Sequence, residues 1–301
     1  MMDLLVLCLQ AATPIWLAAL GGLIAQRSGV LHLGLEGLML SGAFTVVAVT
    51  VRTGSLALAL VAAIGVNLVI SVVFWLLISQ LKANAIIVGL AISMTAAAGT
   101  TFALVTIFGS QAAIHTDAAL PRPLDLTNGP LAPLGKLTVL TYVAVALTIA
   151  AVLILTRTRW GLRLSVCGVD EFAARSAGVN VVLTRLAALC AAGVCCALAG
   201  TELALANVQS FSENMTQGRG YLAFIAVLLG GVSPAGVAAA SVFFGLADGI
   251  GVRSQLGLHG LVPVQFIQML PYLCTIGAMA AAALINRRRG VSPPTNVDDL
   301  T

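Results

Sequence analysis

The chain has 301 residues, of which 59% are apolar and only 9% are charged. Soluble domains carry about 25% charged residues, so this composition excludes a water-soluble fold. A net charge of +4 is also too small for a nucleic-acid-binding surface. Because a membrane-crossing helix needs about 20 apolar residues, we predict an all-α protein, a polytopic transmembrane bundle of about eight or nine helices.

Five apolar runs in the first half are long enough to cross a membrane: residues 4–24, 35–51, 56–78, 86–108 and 137–155. The stretch before the fifth run, residues 109–136, is rich in proline and glycine and is predicted to form an aqueous loop. No basic residue precedes the first run. This argues against a cleaved signal peptide and predicts that the first helix is retained.

Arginine is concentrated after the fifth run. Five of the 15 basic residues lie between residues 157 and 185: Arg157, Arg159, Arg163, Arg175 and Arg185. The positive-inside rule places this segment in the cytoplasm, together with the arginine-containing tail 286–301. Counting crossings back from it puts the N-terminus and the loop 109–136 outside. Residues 1–285 then form one transmembrane domain with a cytoplasmic loop at 157–185.

The second half contains two clear spans, 186–206 and 262–285, so the stretch 220–251 between them must enter and leave on one face. Proline and glycine at 230–234 interrupt this stretch. Both residues break a continuous helix. We therefore predict two half-length helices joined at 230–234, either as a re-entrant pair or as two thin crossings.

Glycine-interrupted apolar segments occur once in each half, at residues 29–43 and 218–236. Paired breaks indicate a substrate pathway in transporters, because unwound backbone at membrane depth survives only beside protein or water. Glu36 follows His32 by four residues. A helical segment would place both side chains on one face, where they can share a hydrogen bond. The pair either lines a pathway or only satisfies its own polar groups.

Glu202 and Asp248 are further acids within apolar runs, and we interpret both as interfacial side chains near helix ends. The chain lacks a phosphate-binding loop, a zinc-protease motif and a nucleophile elbow, and its three histidines are dispersed. The sequence therefore predicts a transporter component that is not an enzyme and has no metal site.

A finer pattern lies in the arginine-rich segment. Asp170 can cap a short helix in which Glu171 and Arg175 are four residues apart, and Gly178 can end that helix in a left-handed conformation. Such a helix either docks into a groove on a partner protein or lies on anionic lipid as a basic interfacial helix.

Three ordered segments, 29–43, 168–181 and 211–236, carry a family resemblance. The first reads GVLHLGLEGLMLSGA beside the pattern G-v-x-N-i-G-x-E-G-m-M-l-x-G-A. Together they resemble the permease subunits of bacterial ABC importers for nucleosides and simple sugars, within the branched-chain amino acid and ribose permease group. His32 replaces the usual Asn, and the residues just before Pro234 are less polar than is common in the family.

The resemblance implies a second permease subunit, identical or different, and a separate cytoplasmic ATPase that binds ATP and Mg. It also implies a periplasmic or lipid-anchored substrate-binding protein and a location in the bacterial cytoplasmic membrane. The residues that it assigns to ATPase coupling are Gly168, Asp170, Glu171, Ala174, Arg175 and Gly178. The residues that we assign to the translocation pathway are His32, Glu36, Asn84, Gln209, Asn214 and Thr216.

The expected cargo is a nucleoside or a related simple sugar. Ribose, galactose or a branched-chain amino acid is the alternative within the family, and an ion-coupled secondary transporter is the alternative outside it. Histidine titrates near neutral pH, so His32 could introduce a pH dependence. Polar side chains such as Asn67 and Thr100 either contact the cargo or bond one helix to another.

Overall fold

The computed structural model describes residues 2–109, 113–121 and 134–257, together with residue 277. Apart from two short strands, the regular structure of these ranges is helical. The first part contains four long helices: α1 (Met2–Arg27), α2 (Leu35–Thr53), α3 (Leu56–Ser79) and α4 (Ala85–Phe108).

The second part begins with a single turn of 3-10 helix, Leu134–Lys136. The helices that follow it are α5 (Val139–Arg157), α6 (Arg159–Val169), α7 (Glu171–Ser176), α8 (Val181–Glu202), α9 (Arg219–Gly230) and α10 (Pro234–Gly257). α8 continues into a π-helical turn, Leu203–Val208. The strands β1 (Ala113–His115) and β2 (Ser210–Ser212) pair antiparallel, which joins part of the predicted aqueous loop to the segment after α8.

Seven of the described helices are long and apolar enough to cross a membrane. They confirm the predicted polytopic helical bundle, and the five runs of the first half coincide with α1 to α5. The run 186–206 lies within α8 and its π-helical continuation. The predicted span 262–285 and the tail 286–301 lie outside the described residues.

The helices divide into a buried centre and an exposed flank. α1 packs against α8 and α10, while α2 packs against α3 and α8. Most of the side chains of α1 and α2 are buried. α3 and α4 instead expose large apolar side chains, among them Val61 and Phe102. Apolar surface on a membrane protein faces lipid or a partner subunit, so α3 and α4 form an outer flank of this chain.

The predicted break at residues 230–234 is present. Gly231 has a φ of 63°, in the left-handed region that glycine adopts readily, and Pro234 begins α10. α9 has 12 residues, or about 18 Å of helix, which is shorter than the roughly 30 Å hydrocarbon core.

The helix after the break differs from the prediction, because α10 runs through 24 residues without interruption. Its internal glycines, among them Gly245, do not break the helix. A Cβ at Gly245 would lie 2.2 Å from Cα of Ala12, so glycine at this position allows α10 to pack directly against α1.

Candidate functional site

The two glycine-broken segments meet at Glu36, in the first turn of α2. This side chain is only 6% exposed, and both of its carboxylate oxygens accept hydrogen bonds from the segment before α9. Oε1 accepts from Thr216 Oγ1 at 2.6 Å and from Gly218 N at 2.9 Å, and Oε2 accepts from Gly220 N at 2.6 Å. The structure thus brings together Glu36 and Thr216 among the predicted pathway residues.

The local sequence explains why α9 needs this carboxylate. The N-cap residue of α9 is Gly218, which has no side chain to bond the free N–H groups of the first turn. Glu36 supplies the missing cap from another helix, and its negative charge also suits the positive end of α9. Close approach is possible because residue 220 is glycine: a Cβ there would lie 2.4 Å from Cα of Glu36.

His32 does not share a hydrogen bond with Glu36, contrary to the sequence expectation. The connection 28–34 is not helical, so the spacing of four residues does not place the two side chains on one face. The imidazole is buried and stacks on Phe74, with 4.3 Å between ring centroids. Its Nδ1 accepts a hydrogen bond from Gly34 N, and its Nε2 has no hydrogen-bond partner among the described residues.

The segment between α8 and α9 has an irregular backbone. Gln209, Asn214 and Gln217 all have positive φ values, of 51°, 51° and 47°. All three side chains are exposed. Positive φ is uncommon for residues other than glycine and is enriched at functional sites. Two predicted pathway residues, Gln209 and Asn214, therefore lie on an exposed and tightly turned segment of the chain.

Two other acids are more buried than the sequence suggested. Glu202 is fully buried and accepts a 2.6 Å hydrogen bond from Thr138, so its interpretation as an interfacial side chain was wrong. Asp248 forms an ion pair with Arg219, with 2.9 Å between Oδ2 and Nη2. Both groups find partners inside the protein, because an unpaired charge within the membrane costs several kcal/mol.

Two polar candidates bond backbone groups. Asn84 caps α4, and its Oδ1 accepts from Ile86 N and Ile87 N at 2.9 and 3.4 Å. Asn67 is fully buried and donates to the carbonyl oxygens of Leu38 and Gly193, which join α3 to α2 and α8. For Asn67 this is the helix-to-helix alternative that the sequence left open. A pathway role for Asn84 stays a prediction.

The arginine-rich segment forms two consecutive helices, of which the sequence predicted only the second. Asp170 ends α6 and caps α7, where its Oδ1 accepts from Phe172 N at 2.8 Å and from Ala173 N at 3.0 Å. Gly178 follows α7 with a φ of 77°. The predicted cap and the left-handed residue after the helix are both confirmed.

Charges on α7 are paired within the chain. Glu171 bonds Arg175 at 2.5 Å and Arg185 at 3.0 Å. The hydrogen bond from Arg175 lowers the pKa of Glu171 below its usual value, and the charge of Arg185 acts in the same direction. Arg185 also donates to the carbonyl oxygen of Ser28 at 3.2 Å. This arginine therefore links α7 to the connection 28–34 between α1 and α2.

The exposed side of α7 and its neighbour is apolar. Phe172 is 80% exposed and Val169 is 88% exposed, whereas Ala174 is buried against Cys167 and Val181. Sequence reasoning missed Phe172 and Val169, because their exposure depends on which face of α7 packs against the bundle. Ala174 packs α7 against the bundle, and the exposed side chains of Phe172 and Val169 are available to a partner.

Arg27 joins the arginine-rich segment to the break between α9 and α10. Its Nη1 donates to Ser165 Oγ in α6 at 3.0 Å, and its Nε donates to the carbonyl oxygen of Val232 at 2.9 Å. In the sequence, Arg27 is distinguished only as a basic residue that follows the first apolar run. A planar guanidinium with several donors suits this bridging of two acceptors.

Gly168 allows α6 to lie close to the end of α1, where Arg27 bonds its two acceptors. We expect Gly168→Ala to destabilise the protein, because a Cβ there would lie 2.4 Å from the carbonyl oxygen of Arg27 and 3.0 Å from Gly29 N. Overpacking of this kind costs about 1–3 kcal/mol. Thermal unfolding of the detergent-purified protein measures the effect. Gly65→Ala is the matched control, since no atom lies within 4 Å of a Cβ at that position. Equal melting of the two variants would contradict the prediction.

Residues 4–279 match the protein family described as the permease component of the branched-chain amino acid transport system. The chain belongs to this permease family. The match confirms the family indicated by the three sequence segments, and it identifies a multi-pass membrane protein of a transport system.

Named relatives cover nearly the whole permease. Guanosine ABC transporter permease protein NupQ of Bacillus subtilis (strain 168) is 32% identical over 284 residues, 89% of this chain and 88% of that protein. Nucleoside ABC transporter permease protein NupC of Lactococcus lactis subsp. cremoris is 30% identical over the same shares of both chains. The putative glucose ABC transporter permease protein TsgC13 of Haloferax volcanii is 31% identical over 300 residues, 91% of this chain and 90% of that protein.

Proposed function

We propose that the permease is the transmembrane subunit of an ABC importer that moves a nucleoside or a related simple sugar. A separate ATPase binds ATP and Mg and supplies the energy. Similarity to relatives named for guanosine, nucleosides and glucose supports this class of cargo. The observation that carries the proposal is α7, a capped helix that presents Phe172 to solvent beside Val169.

The charge pairing on α7 favours a protein groove over a lipid surface as its partner. A helix that lies on anionic lipid uses unpaired basic residues. On α7, Glu171 neutralises Arg175 and also holds Arg185. What remains exposed is an aromatic ring on a short helix fixed at both ends, which suits insertion into a groove of the ATPase. Four of the predicted coupling residues then stabilise the helical conformation of α7: Asp170, Glu171, Arg175 and Gly178. The other two, Gly168 and Ala174, allow this part of the chain to pack closely against the bundle.

The orientation of the chain follows from this docking. The arginine-rich segment and the tail 286–301 lie in the cytoplasm, and the N-terminus lies outside. A substrate-binding protein delivers the cargo to the outer face. A second permease subunit packs against the exposed flank formed by α3 and α4, and the two subunits together enclose the pathway. The membrane is the bacterial cytoplasmic membrane.

Uptake by the assembled transporter in vesicles tests the proposed function. We expect import of tritiated guanosine to continue in the presence of a protonophore and to stop when ATP is withheld. Import that stops with the protonophore and persists without ATP would instead establish an ion-coupled transporter. Parallel assays with tritiated ribose and glucose compare the two cargo classes directly.

Substitution of Phe172 tests the docking site. We expect Phe172→Asp to reduce the yield of ATPase that co-purifies with the permease at least tenfold, because it places a charge where an apolar ring is buried on assembly. The isolated permease should melt normally, since Phe172 is 80% exposed. Phe172→Leu, which keeps an apolar side chain, is expected to retain most of the ATPase. An undiminished yield with Phe172→Asp would remove this ring from the interface.

A further inference from the structure

An open cleft lies on the exposed flank, between α4 and the segment that follows β2. It has a volume of about 550 Å³ and is lined by Ala97, Ala98, Thr101, Phe102, Glu213 and Asn214. We call it the α4 cleft. Phe102 is 70% exposed, and Glu213 and Asn214 are also exposed. Of these residues, the sequence singled out only Asn214.

A hydrogen bond fixes the position of the Glu213 carboxylate along α4. Thr101 Oγ1 donates to Glu213 Oε1 at 3.2 Å. Thr101 lies seven residues before Phe108, the end of α4, and therefore about 10 Å along the helix axis from that end. α4 is long and apolar enough to cross a membrane, so the carboxylate of Glu213 lies beside the membrane-crossing length of this helix although it is exposed on the surface of this subunit.

A carboxylate at this depth cannot face hydrocarbon without a large cost. Among the described residues Glu213 bonds only Thr101, and its Oε2 accepts no hydrogen bond. The backbone beside it is irregular, with a left-handed residue at Asn214. Exposed irregular backbone at membrane depth is tolerated only beside protein or water. The α4 cleft therefore faces protein or water, and not hydrocarbon, in the assembled transporter.

The chemistry of the α4 cleft matches one class of ligand. Phe102 offers an aromatic face on which a heterocyclic base can stack. The carboxylate of Glu213, whose Oε1 already accepts from Thr101, can accept further hydrogen bonds from hydroxyl groups at Oε2. The amide of Asn214 both donates and accepts, which suits a base edge. A volume of about 550 Å³ also lies within the roughly 300–1,000 Å³ of small-molecule sites.

We propose that the α4 cleft is a substrate-contact site on the translocation pathway and that it takes a nucleoside, with the base on Phe102 and the ribose hydroxyls on Glu213. This inference rests on the proposed function and deepens it. A bare sugar would bond the carboxylate and the amide, but it has no planar heterocyclic base to stack on Phe102. Glu36 and Thr216, which are buried, hold the segment that carries Glu213 and Asn214.

Thiol accessibility tests whether the α4 cleft faces water, independently of the cargo. Single cysteines replace Ala98 and Phe102 in the cleft, and Val61 and Val69 on the exposed face of α3 serve as controls. We expect a charged methanethiosulfonate reagent to label Ala98→Cys and Phe102→Cys at least tenfold faster than the two α3 variants, after subtraction of the parent protein. Equal rates at all four positions would overturn the assignment to an aqueous pathway.

Transport by the assembled complex tests the ligand. We expect Phe102→Ala and Glu213→Gln to lower ATP-dependent uptake of tritiated guanosine at least tenfold, while Phe102→Trp retains it. ATPase yield and basal ATP hydrolysis should be unchanged in all three. Asp117→Asn is the matched control for Glu213→Gln, because it removes the charge of another exposed acid that does not line the cleft.

The outcomes separate the two proposals. Wild-type import of guanosine that is unaffected by Phe102→Ala and Glu213→Gln overturns the cleft assignment and leaves the proposed function intact. Wild-type import of glucose without guanosine overturns the nucleoside assignment of the cleft and leaves the sugar branch of the proposed function. Absence of any ATP-dependent uptake, with active ATPase present, overturns the proposed function itself, and the cleft assignment falls with it.

Discussion

Replacement of Glu36 by glutamine is expected to lower both the stability of the permease and its transport. The carboxylate accepts from Thr216, Gly218 and Gly220, so every oxygen of Glu36 faces a donor. Glutamine has one oxygen and one NH₂ group, and whichever way it turns, at least one buried donor is left unpaired. An unpaired buried donor lowers the free energy of unfolding by about 1–3 kcal/mol. We expect the melting temperature to fall by about 5 °C and guanosine uptake to fall at least tenfold.

Thr216→Val is the graded control for this prediction. It removes one donor and leaves the carboxylate of Glu36 bonded to the two backbone N–H groups. A smaller loss of melting temperature is expected. The double variant Glu36→Gln, Thr216→Val should lose less than the sum of the two single losses, because the residues share one network. Normal melting of Glu36→Gln, together with a loss of uptake, would instead point to direct contact between Glu36 and the cargo.

The positions of the long helices could be predicted from the sequence because their physical cause is local. A run of apolar residues as long as the membrane is thick forms a helix wherever it occurs, since lipid leaves no other way to satisfy the backbone. α7 was predictable for a similar reason. The cap at Asp170 and the left-handed residue at Gly178 act on neighbouring backbone groups.

The partners of the buried charges could not be predicted in the same way. The pairing of His32 with Glu36 assumed helical spacing, whereas the chain between Ser28 and Gly34 is a turn. The three donors to Glu36 come from residues 180 or more positions further along the chain. Hydrophobic pattern carries no information about such contacts. For the same reason the sequence did not distinguish buried Glu202 from exposed Glu213.

One arrangement emerges only from the structure: charged side chains hold both ends of the half-length helix α9. Glu36 caps its first turn, and Arg27 bonds the carbonyl oxygen of Val232 just beyond its last residue. The two residues flank the connection 28–34, which also bonds Arg185 through Ser28. Because Arg185 pairs with Glu171 on α7, contacts run from α7 through Ser28 and the neighbouring Arg27 to the end of α9. We therefore expect a movement of α7 to be transmitted to α9 through these contacts.

Removal of Arg27 is expected to uncouple ATP hydrolysis from transport. Arg27→Gln breaks the bridge between Ser165 in α6 and the carbonyl of Val232, while α7 keeps its own cap and ion pairs. The ATPase should still bind and hydrolyse ATP, but its closure would no longer move the end of α9. We expect guanosine uptake to fall at least tenfold, with ATP hydrolysis within about twofold of wild type. Both are measured on the same proteoliposomes, so that their ratio reports coupling.

Two matched variants decide whether the bridge or the charge of Arg27 matters. Arg157→Gln removes the same charge from an exposed position at the end of α5 and is expected to leave uptake unchanged. Ser165→Ala removes one acceptor of Arg27 and keeps the bond to Val232, so a partial loss is expected. Uptake and ATP hydrolysis that fall together in Arg27→Gln would show that this arginine serves assembly of the complex. A ratio that falls in Arg27→Gln and partly in Ser165→Ala, but not in Arg157→Gln, would show that α6 reaches α9 through the guanidinium.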